Sequence, residues 1–294
     1  MLSQDVPVFH ETATLVTVPC IVTDGHGLTI NDLKLDEFQL YVDGAQRKID
    51  NLWPEGDLPL LLGVIEDVSQ SQQNRIAEND RAAGQILLQV IHKQDRGFLV
   101  AVNDNVILKA EVTEGPYGLR NRFLPTGGEP LGVPCGTLAA THGRRRPGCG
   151  GTALWNAVYA AAHFKLNGRG GNKALLILSD GNDTGSTHSF SNALEEVQRS
   201  GTVVYAIQYP DALNTDAPSD ELSRLAHETG GLFFDVHGAD YSGMISRIAA
   251  DIRGRYVLGF QPEEDNSDTR RRSLKVEVMR PGATVRARQE YSGP

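Results

Sequence analysis

The central part of the chain alternates between nearly continuous apolar runs and segments whose apolar residues recur at helical spacing. The first run, "LPLLLGVIED" at 58–67, lacks the alternation of a half-exposed strand, so it predicts a strand buried on both faces. Similar short runs occur at 97–104, 173–181, 202–210 and 232–236. Helical spacing occurs between them, at 76–91, 152–166, 189–201, 219–231 and 240–255. This succession predicts an α/β fold with a doubly wound, mostly parallel sheet covered by helices on both faces.

Both ends of the chain have a different pattern, in which short strand-like segments are separated by turn residues. At the N-terminal end, "ATLVTVPCIVTD" (13–24) and "EFQLYV" (37–42) are followed by the hairpin signal Asp43-Gly44. The tail repeats this character over 256–291. We therefore expect both termini to form a small β-rich domain into which the central part is inserted. The boundaries predicted from this pattern are 1–57 and 255–294 for the β-rich domain, and 58–254 for the central domain.

Composition and charge exclude several classes of protein. The chain has 294 residues, 40% of them hydrophobic, and a formal net charge of -9, which together describe an ordinary globular protein rather than a nucleic-acid binder. The basic stretches at 143–148 and 269–275 are interpreted as solvated loops or strand edges. No apolar run approaches the ~18 residues of a membrane span. The first residues have no signal-peptide pattern, so we expect the leader of an exported form to have been removed.

The three cysteines indicate no disulfide framework. Cys20 lies among alternating apolar residues and is expected to be buried in a strand. Cys135 and Cys149 both lie in the Gly/Pro-rich loop 114–151, where a bridge between them would require an oxidising compartment. The alternatives are two free thiols, as in the cytoplasm, or a zinc site that also uses His142.

Five oxygen-bearing side chains stand at places where parallel strands end or helices begin. Asp67, Ser69 and Ser71 follow the first buried strand, Asp180 follows the strand at 173–179, and Thr152 precedes a predicted helix. The corresponding loops of a parallel sheet emerge at one edge, so these side chains are expected to converge there. Hard oxygen ligands without imidazole or thiolate favour Mg²⁺, Ca²⁺ or Mn²⁺. The simpler alternative is that Ser69 or Ser71 only caps the following helix.

These motifs resemble a known metal site. "DVSQS" at 67–71, "GGTALW" at 150–155 and "LSDGNDTGS" at 178–186 look like the metal-ion-dependent adhesion site of von Willebrand factor type A domains. Most of the chain further resembles bacterial von Willebrand-related proteins of the type found in acidobacteria. The segments that carry this resemblance include "LVTVPCIVTDGHG", "LDEFQLYVDG", "GTALWNAVYAAA", "ALLILSDGNDTGS", "LAHETGG" and "RPGATVRARQEY".

The resemblance implies a Rossmann-like von Willebrand type A domain and a function in protein binding. It implies that Asp67, Ser69, Ser71 and Thr152 surround a divalent ion, with Asp180 near it directly or through water. A partner protein would complete the coordination with an Asp or Glu carboxylate. The chain departs from the family pattern at Glu66, Val68 and Gln70, which are expected to change the affinity for the ion without removing a ligand. We also expect the arginines at 144–146 to steer an acidic partner toward the site.

Two functions other than adhesion are alternatives. A regulatory or scaffolding subunit of an ATPase- or chelatase-like complex would use the same metal chemistry. A metal-dependent hydrolase is less favoured, because Ser69 stands where phosphatases of the haloacid dehalogenase type have an acid. The chain also has no phosphate-binding loop, no nucleophile elbow and no H-E-x-x-H pair. We therefore expect a non-enzyme that works outside the cytoplasm, with a cytoplasmic location as the alternative. The oligomeric state is left open.

Overall fold

A computed structural model describes most of the chain. The described residues are 15–54, 59–69, 89–114, 129–130, 151–209, 220–236, 241–262 and 271–292. Three features predicted from the sequence lie outside them: Ser71, the two cysteines at 135 and 149, and most of the loop that contains those cysteines. The predicted helix at 76–91 is described only at its C-terminal end, where residues 89 and 90 are helical.

A seven-stranded sheet forms the centre of the molecule, in the order β11-β10-β9-β5-β6-β7-β8. The strands β5, β6, β9, β10 and β11 are parallel, and β7 and β8 add antiparallel partners at one edge. Their bounds are β5 Leu60–Asp67, β6 Arg96–Val102, β7 Val106–Glu114, β8 Glu129–Pro130, β9 Asn172–Ser179, β10 Val203–Gln208 and β11 Phe233–Asp235. Every residue of β5 is buried, as its continuous apolar pattern predicts. The predicted doubly wound, mostly parallel α/β fold is confirmed.

Besides the helical residues 89 and 90, the described residues contain four helices: α1 Leu154–Ala160, α2 Phe190–Ser200, α3 Glu221–Glu228 and α4 Tyr241–Arg253. The helix α1 continues as a π-helix at Ala161–Leu166, a change of pitch that its apolar spacing did not reveal. The predicted ends of α2 are confirmed. The Ser189 side chain caps its first turn by accepting a hydrogen bond from the Asn192 N–H. Gly201 ends it in the left-handed conformation, with φ of 67°.

The two faces of the central sheet carry separate hydrophobic cores. On one face, α1, α2 and α3 bury residues such as Leu154, Ala193 and Leu222 against β5 and β9. On the other face, α4 contributes Ile245 and Ile248. Because successive side chains of a strand point to opposite faces, each central strand supplies both cores. This is why the strands read as apolar runs rather than as alternating patterns.

The two ends of the chain form two four-stranded sheets, ordered β14-β1-β12-β4 and β15-β13-β2-β3. A 3₁₀ turn at Leu35–Glu37 precedes β2. Residues of both sheets belong to one core cluster, including Val18, Leu40 and Leu258. The strand bounds are β1 Val16–Thr23, β2 Phe38–Val42, β3 Ala45–Arg47, β4 Asn51–Pro54, β12 Arg255–Phe260, β13 Arg271–Val278, β14 Thr284–Ala287 and β15 Glu290–Ser292. The division into domains at residues 57 and 254 stays a prediction.

Ionic and polar contacts join the helix α4 to the amino-terminal side of the central sheet and to the terminal strand β14. Arg253, the last residue of α4, pairs with the fully buried Asp95, which precedes β6. Arg286 of β14 pairs with Asp251 of α4, and the Tyr205 hydroxyl donates a hydrogen bond to the same carboxylate at 2.7 Å. The central sheet is thus anchored on the side opposite to the edge where the predicted metal ligands lie.

In the described part of the chain, no helix has the length and apolarity needed to cross a membrane.

Gly63 in β5 offers a test of the packing between the central strands and the first core. A Cβ at this position would lie 2.4 Å from the ring of Phe98 and 2.8 Å from a methyl of Leu175, and both residues are fully buried. We predict that Gly63→Ala lowers the free energy of unfolding by about 1–3 kcal/mol, because the neighbours have no room to move. Urea denaturation measures this change. Gly170→Ala is the control, since nothing lies within 4 Å of its added carbon, and an equal loss in both variants would contradict the account.

Candidate metal-binding site

A row of three polar side chains crosses the carboxyl edge of the central sheet. Asp67, Ser179 and Gln208 are the last residues of β5, β9 and β10. The Ser179 hydroxyl donates a hydrogen bond to Asp67 Oδ2 at 2.7 Å, and Ser179 is in register with Gln208. Residues in register on neighbouring parallel strands point to the same face. The three side chains therefore form one line, which we call the polar row.

The turn after β5 keeps Asp67 and Ser69 together. The Ser69 N–H donates to Asp67 Oδ1 at 2.9 Å, and the Val68 N–H donates to the carbonyl of Val102 at 2.8 Å. Asp67 and Ser69 are both buried. Glu66 points to the other face of the sheet, because neighbouring residues of a strand alternate. Ser71, the third residue of the predicted motif, lies outside the described residues.

Asp180 begins the loop after β9 and is also buried. Its Oδ1 accepts a hydrogen bond from the Asn182 N–H at 3.0 Å, which shapes a tight turn of the kind that Asp side chains favour. Gly181 follows with φ of 82°. The Gly181 N–H donates a hydrogen bond to the Ser179 hydroxyl oxygen at 3.1 Å. This bond joins the polar row to the start of the loop. The negative charge of Asp180 contributes to a raised pKa of Asp67.

Thr152 lies against the same loop from the other side. Its N–H donates to Thr184 Oγ1 at 3.0 Å, and its carbonyl accepts hydrogen bonds from the N–H groups of Thr184 and Gly185 at 3.0 and 2.9 Å. Gly151 has φ of 86°, and a Cβ there would lie 1.9 Å from Thr184 Oγ1. Only glycine permits this approach of the backbone at position 151 to the Thr184 side chain.

The N-terminus of α1 is capped by side chains of the loop after β9. Asp183 Oδ1 accepts a hydrogen bond from the Trp155 N–H at 3.2 Å, and Ser186 Oγ accepts one from the Asn156 N–H at 2.9 Å. The Ala153 N–H donates to the carbonyl of Asn103, in the turn after β6, at 2.7 Å. Thr152 is therefore held between the loops that follow two of the central strands. Among the predicted residues, the structure brings the segments of Asp67, Ser69, Thr152 and Asp180 to one edge.

Burial makes the Asp67 carboxylate energetically unfavourable. Its removal from water raises the pKa of Asp67 to about 6, and the charge of Asp180 adds to the rise. Hydrogen bonds from Ser69 and Ser179 act in the opposite direction and stabilise the ionised form. Within the described ranges, no Lys, Arg or His forms an ion pair with Asp67. A bound cation would supply the missing positive charge.

The types of donor atom decide which ions fit. The described residues contain no cluster of three or more His, Cys, Asp or Glu side chains suited to a metal ion. The candidate donors at the edge are instead two carboxylates, Asp67 and Asp180, and the hydroxyls of Ser69 and Thr152. Hard oxygens of this kind suit Mg²⁺, Ca²⁺ and Mn²⁺ better than thiophilic metals.

Sequence reasoning missed several residues that shape the site. Ser179 and Gln208 each end an apolar strand with a polar side chain, and this local signal was present in "LLILS" and "VVYAIQ". Asp183 caps α1, a role that its position in "LSDGNDTGS" does not indicate. The contacts of Thr184 and Ser186 with residues about 30 positions earlier had no local signal.

The raised pKa of Asp67 predicts how stability depends on pH in the absence of metal. The folded state holds the proton up to about pH 6, so the contribution of Asp67 is fully present below about pH 4 and is lost as the pH rises to 6. The loss amounts to about 3 kcal/mol at most. Asp67→Asn carries no such charge, so its stability relative to wild type should increase between pH 4 and pH 7. Urea denaturation in chelator measures the difference, and parallel pH profiles would contradict the assignment.

Loss of the cap from Asp183 should weaken the contact between α1 and the loop after β9. We predict that Asp183→Ala lowers the free energy of unfolding by about 1–2 kcal/mol, because the Trp155 N–H loses its acceptor. Thermal denaturation measures the change. Asp104→Ala is a suitable control, since the Asp104 side chain accepts a hydrogen bond from its neighbour Asn105 and, among the described residues, caps no helix. Equal stability of Asp183→Ala and wild type would show that the cap contributes nothing.

Comparison with known proteins identifies the fold. No protein-family model matches the chain, and no curated protein matches it either. Proximal thread matrix protein 1 from the mussel byssus superposes with a TM-score of 0.51 and 12% identity, over 80% of this chain and 50% of the mussel chain. A second structure of that protein, with a zinc-occupied MIDAS motif, gives a TM-score of 0.50 and 12% identity over 72% and 49%.

A von Willebrand factor type A protein from Catenulispora acidiphila is also similar, with a TM-score of 0.49 and 11% identity over 97% of this chain and 74% of that chain. At such identities a structural likeness concerns the fold alone. The fold assignment rests on the strand order of the central sheet and on the superposition with the mussel protein. The chain has the von Willebrand factor type A fold, as its sequence motifs predict.

Proposed function

We propose that the protein is a metal-dependent protein-binding module. Asp67, Ser69, Thr152 and Asp180, together with Ser71 from outside the described residues, would hold Mg²⁺ or a related ion such as Ca²⁺ or Mn²⁺. The observation that carries the proposal is the burial of Asp67 close to Asp180, with hydrogen bonds from Ser69 and Ser179 but no cationic side chain among its described partners. Two carboxylates in such a place are stabilised by a divalent cation.

The hydroxyl ligands give this site its capacity to bind a partner. Ser69 and Thr152 contribute oxygens without charge, so the two aspartates supply all the negative charge of the described donors. If Asp180 acts through water, the ion retains positive charge and an exchangeable position. An Asp or Glu carboxylate of a partner protein can then complete the coordination. The mussel protein with the zinc-occupied MIDAS motif supports metal binding in this fold.

Binding rather than catalysis is the function that the described residues support. Ser179 donates its hydrogen bond to Asp67, the carboxylate that would bind the proposed ion, and no Lys or His among the described residues is hydrogen-bonded to the Ser179 hydroxyl. Of the histidines with described side-chain contacts, His163 contacts Glu196 and His188 stacks on Tyr159. We therefore place the protein among non-enzymes. A location outside the cytoplasm stays a prediction, because Cys135 and Cys149 lie outside the described residues.

Calorimetric titration of the metal-free protein tests the proposal. Wild type should bind one Mg²⁺, Ca²⁺ or Mn²⁺ ion, and Asp67→Ala should abolish binding because it removes a charged ligand. The matched control is Asp95→Asn, which alters another fully buried aspartate at the opposite end of the sheet. We expect this control to lose stability through its contact with Arg253 and to retain its affinity for the ion at temperatures where it is folded.

Two results would contradict the proposal. One is a wild-type protein that binds none of the three ions. The other is an Asp67→Ala variant that binds them as tightly as wild type does. Partner binding is then tested with peptides that carry an exposed Asp or Glu: their capture should require the ion and disappear in chelator. Capture that continues in chelator would refute the carboxylate-bridging part of the proposal.

A further inference from the structure

Gln208 is a buried residue at the metal-site edge that the proposed ligand set does not use. Only 2% of its surface is exposed, and its Oε1 atom is buried without a hydrogen-bond partner in the described part of the chain. A buried carboxamide oxygen in this state is costly, because it has lost its hydrogen bonds to water. Native proteins usually satisfy such groups with ordered water or a bound ligand.

The position of Gln208 relates it to the site rather than to the surrounding core. It ends β10 in register with Ser179, whose hydroxyl bonds to Asp67. Its amide group also lies beside Gly181, the residue after Asp180: a Cβ on Gly181 would be 3.4 Å from Gln208 Cδ and 3.5 Å from Nε2. The absence of a side chain at Gly181 is what allows the Gln208 amide to reach the start of the Asp180 loop.

We propose that Gln208 is a positioning residue of the metal site, whose carboxamide oxygen accepts a hydrogen bond from a water molecule on the Asp180 side of the ion. This inference rests on the proposed function. The polar row then has a continuous role: Asp67 contacts the ion, Ser179 orients Asp67, and Gln208 holds water where Asp180 would otherwise bind directly. Gln208 thereby favours the water-mediated form, which leaves the ion able to accept a carboxylate from the partner.

The test compares Gln208→Met with Gln198→Met in the full chain. Methionine has nearly the same volume as glutamine but accepts no strong hydrogen bond. Gln198 is a matched control, because it is also buried but lies near the C-terminal end of α2, where its carbonyl contacts Arg288. Calorimetry should show about tenfold weaker Mg²⁺ binding for Gln208→Met, as for other groups that orient metal ligands. Gln198→Met should bind as wild type does.

Two further measurements separate positioning from packing. Water-proton relaxation with bound Mn²⁺ reports the exchange of metal-bound water, which should be faster in Gln208→Met than in wild type. Gln208→Glu keeps an acceptor oxygen at the same place and should bind Mg²⁺ at least as tightly as wild type. If Gln208→Met fails to fold, the Gln208→Glu variant tests the inference alone. Weaker Mg²⁺ binding by Gln208→Glu than by wild type would overturn the inference.

The failure of this inference is distinguishable from failure of the proposed function. If Gln208→Met binds Mg²⁺ as wild type does while Asp67→Ala binds none, Gln208 has no positioning role and the metal site stands. If both methionine variants lose affinity equally, the effect is general destabilisation and the inference is wrong. If wild type binds no ion, the proposed function fails and the role of Gln208 fails with it.

Discussion

The desolvation of Asp67 beside Asp180 is the constraint on which the rest of the site depends. Burial raises the pKa of Asp67 to about 6, and the charge of Asp180 contributes to this rise. A buried carboxylate is tolerated only when hydrogen bonds or a cation compensate for the loss of water. Ser69 and Ser179 provide part of this compensation through hydrogen bonds. No positively charged side chain among the described residues pairs with Asp67. This is the reason for proposing a cation at this edge.

The von Willebrand type A fold creates this situation through the way its sheet is covered. Helices on both faces require strands that are apolar throughout, so polar residues are placed where the strands end. Asp67, Ser179 and Gln208 all occupy such final positions. Contacts of Arg253 and Arg286 anchor the amino-terminal side of the sheet, while the loop after β9 caps α1 at the other side. The site is thus built from loops that a rigid sheet holds in place.

Local patterns predicted the central strands, the bounds of the helix α2, and the positions of the proposed ligands Asp67, Thr152 and Asp180 at the ends of elements. Such features depend on burial periodicity and on turn chemistry, which a sequence displays directly. The polar row was harder to foresee, because its alignment depends on the register between strands more than 100 residues apart in the chain, such as Asp67 and Ser179. The capping of α1 by Asp183 and Ser186 likewise joins distant segments. The π-helix after α1 has no signal that we can identify in its alanine-rich sequence.

The most direct measurement is a crystal structure of the protein grown with Mn²⁺, with anomalous scattering recorded at the manganese edge. The account predicts one strong anomalous peak at the carboxyl edge of the central sheet, within ligand distance of Asp67, Ser69 and Thr152 and close to Asp180. It also predicts ordered water between the ion and the Gln208 side of the site. A crystal in which this edge shows no anomalous peak, or in which Mn²⁺ binds only elsewhere, would contradict the central claim.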